Sequence, residues 1–183
     1  MNTLPFLLQT VIGLYTIVLL LRAWFQFCRV DFYNPLSQTV VKLTQPVLAP
    51  LRKVIPTRKN IDIAAIVLAY ALNVVLYASL NSLSETALPW SSMLIIAAFS
   101  LVKTFGKIIF WAIFIRAVMS WFSRGQHPLD YVLYQISEPL LAPIRRILPS
   151  TGMIDFAPMV LAFGLILGNN LLLDIFGALW FYA

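Results

Sequence analysis

Charge is scarce in this chain: Asp, Glu, Lys and Arg make up 11% of 183 residues, whereas 61% are hydrophobic. Water-soluble domains carry about a quarter charged residues, so this composition falls outside the ordinary soluble class. Cysteine is almost missing as well. The single Cys28 excludes an internal disulfide framework, and with the single His127 it supplies no metal-ligand cluster. Cys28 reads as a small apolar residue near a helix end. His127 lies in GQHP, a turn-like setting with no local ligand set. Also missing are a nucleophile beside its base, paired carboxylates at helical spacing, and a phosphate-binding glycine loop. The expectation is a protein that is not an enzyme, with no cofactor and no bound metal.

What the chain has is long apolar runs. They cover residues 4–27, 61–83, 93–122 and 156–173, and each approaches or exceeds the roughly 20 residues needed to cross a hydrocarbon layer. The first lacks the basic leader and small-residue cleavage site of a signal peptide, so it reads as a retained span. The fold class is therefore an all-α membrane protein with four transmembrane helices. Its net charge of +6 is concentrated between the runs, which makes anionic phospholipid, not nucleic acid, the natural partner. The segments around 29–60 and 124–153 carry most of the Lys and Arg, and by the positive-inside rule they face the cytoplasm. Residues 84–92 hold Glu85 and no Lys or Arg and read as an external linker. Both termini are then expected on the outer side of the membrane.

A duplication organises the whole. PLSQTVVKLTQPVLAPLRKVIPTRKNIDIAAIVLAY at 35–70 returns, 93 positions later and without a gap, as PLDYVLYQISEPLLAPIRRILPSTGMIDFAPMVLAF at 128–163. Pro46/Pro139, Pro50/Pro143, Pro56/Pro149, Arg52/Arg145 and Asp62/Asp155 coincide, a repeat signal of high specificity. Each half, 1–83 and 93–183, runs span, basic amphipathic segment (35–55 and 128–148), span. These are parallel repeats, with a pseudo-twofold axis expected along the membrane normal. In the first amphipathic segment Leu36, Val40, Leu43, Val47 and Leu51 form an apolar stripe; in the second, Leu129, Leu133, Ile136, Leu140 and Ile144 do so. Pro46 removes an amide hydrogen and restricts Gln45, so two short helices meeting near 44–46 are expected, with Pro56 ending the second.

Few polar residues interrupt the spans. Arg22 and Arg116 fall near the ends of the first and third, where snorkelling to headgroups is the simplest expectation and a functional charge inside the bundle the alternative. Asp62 and Asp155 precede the second and fourth, as helix N-caps or as partners of a repeat arginine or a cation. Asn73 reads as helix-to-helix glue. Lys103 and Lys107 share a helix face, and snorkelling at the outer leaflet is expected of them. Gly164 and Gly168 would let another helix approach, while Trp180, Phe181 and Tyr182 are expected at the outer interface.

QPVLAPLRKVIP followed by Ile61 and Asp62, and EPLLAPIRRILP followed by Ile154 and Asp155, resemble the YggT family of small bacterial membrane proteins. The MNTLPFLL opening, DFYNPLSQ at 31–38 and Ser120-Trp121 extend the resemblance over essentially the whole chain. It implies a bacterial inner-membrane protein, whose outer termini are then periplasmic, tied to osmotic or envelope stress and ion homeostasis, with plastid and cyanobacterial relatives linked to membrane or nucleoid organisation. Two functions follow as expectations. One is a scaffold that binds anionic lipid or a membrane-protein partner through Arg52, Lys53, Arg145 and Arg146. The other is a homo-oligomeric cation channel or transporter with Asp62 and Asp155 as cation sites.

Overall fold

The computed structural model describes residues 3–55, 61–83, 88–122, 127–148 and 155–183. Seven helices appear among them: α1 (Thr3–Phe27), α2 (Pro35–Leu51), α3 (Ile63–Ser82), α4 (Trp90–Phe122), α5 (Pro128–Ile147), α6 (Ala157–Phe176) and α7 (Ala178–Phe181). Four of these, α1, α3, α4 and α6, are long and apolar enough to cross a membrane. At 1.5 Å per residue α3 spans about 30 Å and α4 about 50 Å, so α4 extends well beyond a hydrocarbon layer. It begins at Trp90, within the stretch expected to be linker. Of that stretch, 84–87, with Glu85, lie outside the described residues, as do Pro56 and Pro149.

The spans pack in the order α1, α3, α4, α6, with α2 against α1 and α3, α5 against α4 and α6, and α2 touching α5. Apolar packing is concentrated in the first repeat and at the seam between repeats. Leu19, Leu20, Ala23, Leu48, Ala64, Ala65, Ala69 and Ile108 form one cluster. Its alanines let α1 and α3 approach closely. Phe25, Val30, Ala112, Val132, Leu133 and Ile136 form the other, joining α1 to α4 and α5. Trp24 strengthens the seam by donating its indole N–H to the Ile136 carbonyl at 3.1 Å. Asn34 does likewise to the Pro128 carbonyl at 2.9 Å. Asn73 ties three spans together: its Nδ2 donates to Thr16 Oγ1 at 3.0 Å, and its Oδ1 accepts from Ser100 Oγ at 3.1 Å.

The end of α1 shows how the chain turns from span to amphipathic segment. Arg29 takes φ of 53°, and the amide of Val30 reaches back to the Phe25 carbonyl at 2.9 Å. That is a Schellman ending, completed by apolar contact between the buried Phe25 and Val30.

Three sequence expectations change here. First, α2 and α5 are each one continuous helix through Pro46 and Pro50 and through Pro139 and Pro143. Proline removes single amides without ending a helix whose neighbours hold it in place. Second, α2 turns Ser37, Thr44 and Leu48 inward, leaving Leu36, Leu43 and Val47 of the apolar stripe exposed. The inward Thr44 accepts from Arg22 on α1, whereas the matching stripe of α5 buries Leu133 and Ile136 against α1. Third, Trp180 is buried, not interfacial. Gly177, with φ of 55°, reverses the chain so that α7 folds back and Trp180 Nε1 donates to Asn169 at 3.1 Å. Phe181 and Tyr182 are exposed. Lys103 joins the same turn: its ammonium donates to the Trp180 carbonyl at 3.1 Å and lies 5.7 Å from the indole centroid.

Candidate functional site

Five positions of each repeat converge where the amphipathic helix meets the spans. In the first half they are Arg22 on α1, Thr44 and Gln45 on α2, Arg52 just after α2, and Asp62 before α3. Arg22 is almost fully buried, so the snorkelling expectation fails. Its Nε donates to Asp62 Oδ2 at 3.2 Å, Nη1 to Thr44 Oγ1 at 2.6 Å, and Nη2 to Gln45 Oε1 at 3.0 Å. Nη1 also reaches the Val41 carbonyl at 3.3 Å, beside the place where Pro46 leaves the Lys42 carbonyl without its helical amide. A guanidinium inside a bundle persists only with such a set of acceptors.

Asp62 has no exposed surface and serves three donors. Its Oδ1 caps α3 by accepting the Ala65 amide at 3.3 Å, while Oδ2 accepts Arg22 Nε and Arg52 Nη2. Cap and ion pair, which the sequence offered as alternatives, are therefore made by the same carboxylate. One carboxylate faces two arginines, so this cluster carries a net positive charge.

The second half repeats the arrangement with Arg116, Ser137, Glu138, Arg145 and Asp155. Arg116 Nη1 donates to Ser137 Oγ and, at 3.5 Å, to Glu138 Oε2, and the guanidinium sits 4.8 Å from the Tyr134 ring centroid. Arg145 bridges Glu138 at 2.7 Å and Asp155 at 2.7 and 2.8 Å. Asp155 Oδ1 also accepts the Ala157 amide at 3.0 Å. It does so from one residue further out than expected, because Phe156 occupies the N-cap position of α6. Arg116 and Asp155 do not touch. Between them lies a cavity of about 650 Å³ bounded by α4, Arg145 and the start of α6. Burial alone would push the Asp155 carboxyl up, but the Arg145 hydrogen bonds, the Ala157 amide and the charges of Arg145 and Arg116 outweigh it and hold it below the ordinary carboxylate range. Those Asp155 bonds in turn hold the Arg145 guanidinium above its ordinary value.

The four basic residues expected to bind lipid thus divide into two kinds. Arg52 and Arg145 are committed to Asp62 and Asp155. Lys53 and Arg146, their next neighbours, are exposed and make no ion pair among the described residues. Sequence reasoning missed Thr44, Gln45, Ser137 and Glu138. The repeat carried the signal, since Thr44 aligns with Ser137 and Gln45 with Glu138. Elsewhere, burial pushes the Cys28 thiol up to about 11, which keeps it protonated and unreactive at neutral pH. No group of three or more His, Cys, Asp or Glu able to hold a metal occurs among the described residues.

The family model described as CCB3/YggT matches residues 1–83 and 95–176. The chain is 53% identical over 163 residues to the Escherichia coli K12 protein named YggT, covering 88% of this chain and 84% of that one. It is 48% identical to a Haemophilus influenzae protein, covering 95% and 93% of the two chains, and 46% identical to a Vibrio alginolyticus protein, covering 99% of each. The names of these relatives state no reaction. No solved structure matches the chain.

Proposed function

The chain belongs to the CCB3/YggT family, and we propose that it is a non-enzymatic inner-membrane scaffold. Its two amphipathic helices hold anionic phospholipid, or a membrane-protein partner, at the cytoplasmic headgroup layer. The observation that carries this reading is the clamping of both helices by the Asp62 and Asp155 clusters, which leaves Lys53 and Arg146 facing outward. A basic residue at an anionic surface contributes about 1 kcal/mol, so a fixed pair of them gives modest, salt-sensitive lipid enrichment. A place in osmotic or envelope stress responses follows naturally for such a protein, since lipid packing and surface charge change under those conditions.

The cation-pathway alternative draws no support from these carboxylates. Asp62 and Asp155 both face arginines, and a guanidinium beside a carboxylate competes with a cation for it. The test is lipid composition in nanodiscs assembled from a mixture of phosphatidylglycerol and phosphatidylethanolamine. Wild-type discs are expected to be richer in phosphatidylglycerol than empty discs, and a Lys53→Glu/Arg146→Glu variant is expected to lose the enrichment. Enrichment that survives the double reversal would count against the scaffold reading.

A further inference from the structure

The two repeats place equivalent residues around two different spaces. In the first, Arg22 reaches Asp62 directly and closes the space between α1, α2 and α3. In the second, Arg116 and Asp155 stand apart, and the cavity of about 650 Å³ occupies the position that the first repeat fills with its own ion pair. The charged groups lining it are Arg116, Arg145 and Asp155. Apart from Ser120, whose hydroxyl donates to the Ala117 carbonyl at 2.6 Å, its remaining wall is apolar, with Phe110, Phe114 and Met159 among the lining side chains. Phe114 and Met159 are largely exposed, so the apolar limb opens outward between α4 and α6.

We propose that this cavity is a binding site for one glycerophospholipid. Its phosphodiester would lie against Arg116 and Arg145, and its acyl chain would run along Phe110, Phe114 and Met159. Two features select that chemistry. Two guanidiniums line one end, Glu138 pairing with both from outside the lining, and guanidinium is the side-chain group best matched to a phosphate's paired oxygens. The volume lies within the range of sites that take drug-sized ligands, enough for a headgroup with part of an acyl chain. A wholly apolar guest would leave the charged end of the cavity unfilled, and a free inorganic phosphate would leave the apolar limb bare.

This site rests on the scaffold reading only in placing Arg116 and Arg145 at a headgroup layer; the surface pair Lys53 and Arg146 takes no part in it. The test is native mass spectrometry of the delipidated full-length protein titrated with phosphatidylglycerol and, separately, with diacylglycerol, which lacks the phosphate. One saturable phosphatidylglycerol per chain is expected, bound at least tenfold more tightly than diacylglycerol. Ala162→Trp fills the apolar limb and is expected to abolish that binding. Ser120→Asp, which adds a negative charge at the polar end without filling the limb, is expected to weaken it at least fivefold. The Lys53→Glu/Arg146→Glu variant is expected to keep it. Equal binding of diacylglycerol, or unchanged phosphatidylglycerol binding in both Ala162→Trp and Ser120→Asp, would overturn the proposal. Loss of nanodisc enrichment in the surface variant with the single bound lipid retained would show the two sites to be separate. Loss of the single lipid in the surface variant would overturn the site as drawn.

Discussion

The two charge clusters are built from aligned positions, yet one is sealed and the other is open. Asp62 has a side-chain exposure of 0%, against 44% for Asp155. Around Asp62 a single carboxylate holds two arginines, and Gln45 contributes only a neutral oxygen. Around Asp155 the charges run in a chain, Arg116 to Glu138 to Arg145 to Asp155, each carboxylate partly solvated. One substitution in the repeat, Gln45 against Glu138, accounts for much of the contrast. Glu138 engages both Arg116 and Arg145, so Arg116 has no need of Asp155. Packing follows the same division: one apolar core lies mostly on the first repeat, joined by Ile108 of α4, while α6 fully buries only Ala157. A duplicated sequence can therefore give one repeat that is rigid and another with room beside it.

The largest expected effect separates the two aspartates. Asp62→Asn strips the counterion from a buried Arg22 and should cost about 3–5 kcal/mol, enough to remove most folded protein. Asp155→Asn acts on a half-solvated pair and should cost under about 1 kcal/mol. Thermal melts in one detergent check the pair, and equal losses would erase the contrast between the halves.

Gln45→Glu gives the first cluster the second carboxylate that the other already has. Placed on the Asp62→Asn background it should recover part of the lost melting temperature, because Gln45 already lies 3.0 Å from Arg22 Nη2. No recovery would mean that the geometry around Asp62 matters more than the charge count.

A smaller loss, about 1 kcal/mol, is expected of Asn73→Ala, which removes the hydrogen bonds joining α1, α3 and α4. Asn169→Ala in the second repeat, which frees only the Trp180 indole, should cost less in the same melt.

The smallest effect is acid sensitivity. The Asp155 carboxyl is lowered in the folded protein, so its contribution is complete above the unfolded carboxylate value, near 4, and fades as pH falls through the folded one. Wild-type protein should lose slightly more melting temperature than Asp155→Asn between about pH 5 and pH 3. Equal slopes would remove Asp155 from the account of acid stability.

Much of this was legible from residues alone. Four apolar runs gave the spans to within a few residues, and the repeat pointed to Arg52, Arg145, Asp62 and Asp155 as a set. The Arg22 pairing was not, because forty positions separate it from Asp62 and nothing local to Arg22 distinguishes burial from snorkelling. Nor did the stripe of α2 reveal which way it faces. In a membrane protein an apolar stripe can turn to lipid and a Ser/Thr face inward, so periodicity fixes the faces without saying which is inside. Trp180 was misplaced for a related reason: aromatic residues near a span end are usually interfacial, and only Gly177 hinted at the reversal that buries it.

The central claim is that the Asp clusters clamp helices instead of carrying ions. Potassium and sodium flux through proteoliposomes holding purified wild type and Asp155→Asn, with and without an osmotic gradient, tests it most directly. The account predicts flux no greater than in protein-free vesicles for both, under gradients that drive a control channel. Flux through the wild type that Asp155→Asn abolishes would contradict it.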